Sequence, residues 1–336
     1  MAAGLIIVFR PSYSMPMKVL REENYELGVE PSERTVAQLL RFGVVPIDKP
    51  CGPSSHEVSS FVRKILKIKK TGHSGTLDPQ VSGVLPVLLD NGCKLAGMML
   101  ASSKEYVCVM KLGETAKGLT EKDLDKVLDN FRGKIYQTPP LESAVKKQLR
   151  IREIYGLKIL EKEGELVLFD SRVQGGTYIR RLVRDIGMFT GSEAKMLELR
   201  RTVAAGIKES QCVTLQELSD RFWLYTEKGE EKLLRECVMP LEKAVKLKKV
   251  VVGDDVFKFL CTGADLAVSG VNEIDDSIHQ GEIVGIFSGK GELACIAKAL
   301  MPAEQIIKNY GNEKLSEKGI AMDTERVVND LGTVKQ

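Results

Sequence analysis

Between Ser54 and Leu66 the chain places Val58, Phe61, Val62, Ile65 and Leu66 at helical spacings, the stripe of an amphipathic helix with one buried face. Ser54 and Glu57 form a capping-box pair that predicts where this helix begins. Other stripes predict a short helix opened by Pro31, with Val36, Leu39 and Leu40 on one face and Gly43 as its stop, and a helix over Thr120–Phe131 halted by Gly133. Ile179, Leu182, Val183 and Ile186 predict a helix over Thr177–Ile186, whose Arg180 and Arg184 share another face. Thr214 and Glu217 cap a further helix running through Trp223. Runs of β-formers predict strands at Gly43–Asp48, Lys104–Gly113, Ile154–Leu160 and Leu166–Gln174.

The texture changes at both ends. Residues 1–30 show little periodicity and read as an extended arm with a strand or two. From Lys246, short runs at Val250–Val252, Leu266–Val268, Ile283–Phe287 and Leu293–Ala297 alternate with Gly and Asp/Asn turns. That pattern predicts a small, mostly β domain of about eighty residues, with the boundary near 245.

Composition narrows the class. A chain of 336 residues with 43% hydrophobic and 28% charged residues is ordinary globular material, long enough for two domains. No apolar run reaches the length of a membrane span, and Met1–Val8 lacks the basic and cleavage regions of a signal peptide. Seven scattered cysteines without a CxxC pair suggest neither a disulfide framework nor zinc, and fit a reducing cytoplasm. Net charge is only +3, but cations cluster at Lys64–Lys70, Lys146–Arg152, Arg180–Arg184 and Arg200–Arg201, while acids gather at Glu227–Glu236 and Asp275–Asp276. The segregation suggests a positive face for nucleic acid; each cluster alone reads better as a solvated helix face.

Candidate chemistry is sparse. There are three histidines, no metal-ligand spacing, no Ser/His/Asp set and no P-loop. The distinctive stretch is Gly72–Leu85, GHSGTLDPQVSGVL, in which glycines and Pro79 hold Asp78 in a non-regular loop. By itself this reads first as a turn. With Tyr106 on a strand and Arg180 on a helix it gains a second reading. A carboxylate buried opposite an arginine stays ionised, and in a water-poor pocket it is a competent nucleophile. A structural Asp–Arg pair with a core tyrosine remains the alternative.

Several motifs stand in a fixed order: Asp48-Lys49-Pro50 with Ser54-Ser55-His56; GHSGTLDP with Ser82-Gly83-Val84-Leu85; Lys104-Glu105-Tyr106; Pro139-Pro140-Leu141 leading to Ser143-Ala144-Val145-Lys146; Gly176-Thr177-Tyr178-Ile179-Arg180; and Leu199-Arg200-Arg201. From about Pro31 to Val328 this set resembles the TruB-type RNA pseudouridine synthases, and most closely their dyskerin-like branch, which works with H/ACA guide RNAs. The resemblance implies an α+β fold: an arm over 1–30, a catalytic domain over 31–245 with a central mixed, mainly antiparallel sheet, and a PUA RNA-binding domain over 246–328 carrying Lys249 and Lys290. It implies isomerisation of uridine to pseudouridine with Asp78 as nucleophile. Tyr106 would lie against the base and handle a proton, Arg180 would pair with Asp78, and Leu199 would wall the pocket. His73 would help open the space left by a flipped base, Lys49 and Tyr178 would support the loop and the RNA, and Lys146 would contact RNA. No metal or cofactor is expected. The full-length PUA domain without a long basic tail points to an archaeal-type cytoplasmic protein. The expected partners are a guide RNA, substrate RNA, a small zinc-ribbon subunit, a glycine-arginine-rich-type subunit and a kink-turn-binding ribosomal-type protein. A stand-alone enzyme of the tRNA TΨC arm and an RNA-binding scaffold with secondary catalysis are the competing readings.

Overall fold

The computed structural model describes residues 17–139, 146–310 and 319–331. Pro140–Val145 of the proline motif and the first sixteen residues of the arm therefore lie outside the described residues. The chain divides into two compact units, one of Thr35–Val245 and one of Met1–Arg34 with Lys246–Gln336.

The first unit is organised by a ten-stranded sheet. Its main path runs Met239–Pro240, Gly43–Lys49, Ser82–Leu89, Ala194–Ala204, Lys104–Leu112, Leu166–Val173, Arg150–Glu163, Gly133–Gln137. Thr71–His73 and Ile207–Lys208 add short strands to Ser82–Leu89 and Ala194–Ala204. Every pairing is antiparallel except one: Ser82 and Gly83 run parallel to Arg200 and Arg201. This short parallel step joins two antiparallel halves, each with its own apolar core.

Capping boxes start the helices. Ser54 and Glu57 cap Ser55–Ile65, Thr120 and Asp123 cap Glu121–Asp129, and Thr214 and Glu217 cap Leu215–Lys228. The first helix starts later than Pro31 suggests. It spans Val36–Arg41 because Thr35 and Gln38 satisfy its free N–H groups reciprocally. On Ser55–Ile65, Val58, Val62 and the following Leu66 are buried, but Phe61 is 40% exposed, so the apolar stripe is wider than the face that packs.

Among the strands that lacked a predictive signal, two matter for the site. In Ser82–Leu89 a proline interrupts a continuous apolar run, and proline donates no ladder hydrogen bond. The structure sets Pro86 directly opposite Pro46, so the two missing donors coincide, and Pro86 O instead accepts the Ser74 N–H at 3.1 Å. Ala194–Ala204 is too charged to read as buried, yet it pairs with Lys104–Leu112 along its length. The stretch read as one long loop from Gly72 to Leu85 is therefore two strands flanking a shorter loop, Ser74–Val81.

The second unit is a seven-stranded sheet in the order Met17–Val19, Val271–Asp275, Lys249–Val252, Ile283–Ser288, Leu293–Ala299, Ile320–Val327, Leu266–Ala267. Lys249–Val252 and Ile283–Ser288 are parallel and the rest antiparallel. The described part of the segment read as a separate arm is built into this unit. Met17 pairs with Asp275, and the Glu26 and Leu27 N–H groups donate to Asp254 Oδ2; Arg34, read as part of the catalytic domain, also belongs to this unit, where fully buried it pairs with fully buried Glu292 at 3.2 Å.

Candidate active site

The Ser74–Val81 loop is held at nearly every residue except the one it presents. Leu77 is clasped twice by buried Ser55, whose Oγ accepts the Leu77 N–H at 2.7 Å and donates to Leu77 O at 3.1 Å. The Gly52 N–H donates to Pro79 O at 2.9 Å, and the Val81 N–H closes a turn onto Asp78 O at 3.0 Å. Beneath the loop, the fully buried Lys49 ammonium donates to Pro50 O (2.8 Å), Pro79 O (3.2 Å) and Val81 O (2.8 Å). Burial pushes the Lys49 pKa down. All three of its N–H bonds are spent on carbonyls, so the Lys49 donors serve the loop.

Asp78 stands clear of this clamp and meets Arg180, with Nη2 to Oδ2 at 2.5 Å. The expected water-poor surroundings are absent: the Asp78 and Arg180 side chains are 53% and 45% exposed. An ion pair that open contributes roughly 0–1 kcal/mol, so a ligand can part it at little cost. Arg180 lies in the first turn of the Ile179–Phe189 helix, where the helix dipole disfavours a cation. That helix has no side-chain cap of its own. Buried Gln137 clasps Tyr178 instead, accepting its N–H at 3.0 Å and donating to its carbonyl at 3.2 Å.

One apolar cluster draws the remaining residues together. It contains Leu77 and Val81 on either side of Asp78, Ile179 next to Arg180, and Tyr106, with Leu199 packed against it. Tyr106 is 9% exposed. Its backbone neighbours are Arg201 on one side and Ser171 on the other.

Arg201 ties this cluster to the loop. Fully buried, it donates from Nε to Val84 O at 2.7 Å and from Nη2 to Gly75 O at 3.2 Å. Burial lowers its pKa, while a hydrogen bond with Tyr106 works the other way. Gly83, at φ +104°, lets the parallel strands close here, since a Cβ would lie 2.2 Å from Arg201 O. Beside it, buried Lys104 donates to the carbonyls of Met99, Leu100 and Ser102, and burial with the nearby Arg201 pushes its pKa down to about 7. His73 ends its strand half-buried, and burial, Arg201 and His56 push its pKa down, favouring the neutral ring.

Other expectations fare differently. Arg200 and Arg201, read as part of a basic face, both serve the fold: Arg200 binds Asp48 through two 3.0 Å contacts and Glu209 at 2.9 Å. Lys146 is exposed, and its carbonyl accepts a bond from Arg150. Lys249 and Lys290 belong to the second unit, where Lys249 lies 5.2 Å from the Phe287 ring centre and Lys290 donates to Glu26 O at 2.8 Å. Ser55, Gln137 and Arg201 received no individual role from the sequence. Among the described residues no group of His, Cys, Asp and Glu is arranged to hold a metal, and no helix is long and apolar enough to cross a membrane.

Comparison with known proteins bears on what such a site does. Residues 63–179 match the N-terminal domain of the TruB family pseudouridylate synthases and 180–246 the C-terminal domain of tRNA pseudouridylate synthase B. Residues 248–325 match the PUA domain, and 9–59 the DKCLD domain. The chain is 47% identical over 312 residues to the probable tRNA pseudouridine synthase B of Archaeoglobus fulgidus, covering 93% of this chain and 92% of that one. It is 45% identical over 313 residues to its counterpart from Methanocaldococcus jannaschii, covering 93% and 90%. Among solved structures, a chain of a Cbf5–Nop10–Gar1 complex superposes with a TM-score of 0.87 at 38% identity, over 97% of each chain. A chain of an H/ACA RNP bound to a substrate RNA containing 2′-deoxyuridine gives 0.84 at 37% identity, over 95% and 96%.

Proposed function

Because the chain belongs to the TruB family of pseudouridine synthases, we propose that it isomerises specific uridines in RNA as the catalytic subunit of an H/ACA guide ribonucleoprotein, with Asp78 as nucleophile. Its partners are then a guide RNA, the substrate RNA and proteins of the kinds in the two assemblies it resembles, together with a kink-turn-binding ribosomal-type protein. The observation that carries the reading is the contrast within one loop: Leu77, Pro79 and Val81 are pinned, while the carboxylate between them is open and paired, among the described residues, with Arg180.

In the isomerisation the bond from the ribose to N1 of uracil breaks, a bond to C5 forms, and the proton on C5 is lost as N1 gains one. The Asp78 carboxylate bonds transiently to the uracil ring or to ribose C1′, and that bond breaks again once C1′ has joined C5. Arg180 holds that carboxylate toward the site until substrate displaces it. Tyr106, whose strand neighbour is Arg201, lies against the base and handles the C5 proton, and Leu199 walls the base in. A uridine must leave its stack to reach Asp78, at a cost of a few kcal/mol, offset by contacts from cationic side chains to phosphates. His73, neutral and half-buried, fills the space the base vacates, and Tyr178, set by Gln137, lines the same side. Lys146 in the first unit, and Lys249 and Lys290 in the PUA unit, contact RNA away from the reacting base. In this reading the catalytic domain is the Thr35–Val245 unit and the PUA domain is the unit that begins again at Lys246.

The curated relatives' name favours a second reading, a guide-independent enzyme acting on tRNA. Reconstitution separates the two. Substrate RNA and unmodified tRNA are each incubated with the full chain, with and without guide RNA and protein partners, and pseudouridine is read at single-nucleotide resolution. Conversion that moves with the guide supports the first reading. Site-specific conversion of tRNA by the chain alone, with no response to a guide, overturns it.

A further inference from the structure

Beside the active site, a cavity of about 430 Å³ opens between the Ser55–Ile65 helix and the Lys69–His73 segment. His56, Ser60, Arg63, Lys69, Lys70 and His73 line it, with no carboxylate among the lining residues. Arg63, Lys69 and Lys70 are exposed, and none forms an ion pair among the described residues. The neighbouring carboxylate, Asp90, accepts the Lys70 backbone N–H at 2.8 Å and so serves the turn. The Thr71 hydroxyl, bonded to Ser59 O at 2.9 Å, holds the strand to the helix, so the two walls keep a defined spacing.

The pocket adjoins the catalytic loop through one side chain, Ser55, and its two hydrogen bonds to Leu77. His56 follows Ser55, and Asp78 follows Leu77, the residue that Ser55 clasps. Two Cα steps and one hydrogen-bonded side chain place the His56 and Asp78 backbones within roughly 15 Å of each other. His73 belongs to the pocket and, five residues on, the same chain presents Asp78.

We propose that this pocket is a phosphodiester subsite, seating the backbone of the substrate strand on the His73 side of the target uridine. The proposal rests on the reading of Asp78 for its orientation only. Three exposed cations spread along an open groove suit a run of phosphates, whereas a single enclosed anion is bound by converging backbone N–H groups. Ser60 and the imidazoles add hydrogen-bond donors without adding charge of the wrong sign.

The test is a triple variant, R63Q/K69Q/K70Q, of the full-length chain in its RNA-binding assembly. Substrate RNA affinity is measured between about 50 and 200 mM salt, the range over which phosphate contacts express themselves. Each phosphate contact contributes about 0.7 to the slope of log K against log salt for a single strand, so the variant's slope should flatten by up to about 2. KM should rise, with turnover at saturating RNA unchanged. Replacing phosphates flanking the target with neutral methylphosphonates should weaken wild-type binding and leave the variant unaffected. An unchanged slope overturns the proposal, as does an equal flattening in a charge-matched control, K122Q/K126Q/K228Q, far along the chain. Asp78→Asn, assayed in parallel, keeps the two ideas apart: its loss of conversion with a wild-type slope in the triple variant leaves the nucleophile standing and removes the subsite.

Discussion

Replacing Lys49 with Met removes the ammonium under the catalytic loop while keeping most of its volume. Of its three carbonyl partners, Pro79 O keeps the Gly52 N–H, whereas Pro50 O and Val81 O lose the Lys49 bond. Stranding the buried Val81 O costs about 1–3 kcal/mol, and losing the bond to Pro50 O, which water can reach, adds about 0.5–1.5 kcal/mol, for a gross loss of roughly 2–4 kcal/mol. Relief of the desolvation that lowers the Lys49 pKa returns part of this, leaving a net loss of about 1–3 kcal/mol. At about 2–4 °C per kcal/mol for a unit of this size, Tm should fall by roughly 2–12 °C. Catalysis should suffer more than folding does. Ser55 still holds Leu77 and the Gly52 N–H still holds Pro79 O, but Val81 O loses its tether, and a misplacement of Asp78 by about 1 Å can cost on the order of a hundredfold in rate. Thermal melting and single-turnover pseudouridine formation at saturating RNA, well below the variant's Tm, measure the two effects separately. A variant that melts with the wild type and reacts at its rate would show that the loop does not depend on the clamp.

Two further outcomes follow from the parallel junction. Gly83→Ala adds a methyl against the Arg201 backbone at a left-handed φ, so strain and overpacking should together cost about 2–5 kcal/mol, seen as a lower urea midpoint with lost activity. Lys104 should make stability depend on pH. Its folded pKa, about 7, lies below its unfolded value, so both states are protonated below 7; between 7 and the unfolded pKa the unfolded chain binds the extra proton, and stability rises with pH. Urea titrations at pH 6 and pH 9 should show that rise in the wild type and a smaller one in Lys104→Met; equal rises would place the titration elsewhere.

Much of this was legible because the signals were local. The Ser54/Glu57 and Thr214/Glu217 capping boxes mark helix starts through bonds three residues apart, and the structure forms both. The Asp78–Arg180 pair spans about a hundred residues and no periodicity reveals it; the family resemblance brought those residues together, and the structure joins them at 2.5 Å. Burial was misjudged for both partners, because the loop's apolar neighbours Leu77 and Val81 face inward while Asp78 faces out. Arg201 was hidden in a different way. Beside Arg200 it reads as surface charge, and only the sheet register between Gly83 and Tyr106 places it inside. Gln137 caps a helix forty-one residues away, and strand Ser82–Leu89 depends on two facing prolines; both are tertiary facts with no sequence period.

The central claim concerns one carboxylate. Asp78→Asn keeps the shape of the side chain, leaves the Ser55 and Lys49 contacts to the loop intact, and removes the charge that makes it a nucleophile. Single-turnover conversion of a bound substrate RNA, with affinity measured on the same preparation, should show wild-type binding and no pseudouridine. Pseudouridine formed at the wild-type rate by this variant would contradict the account.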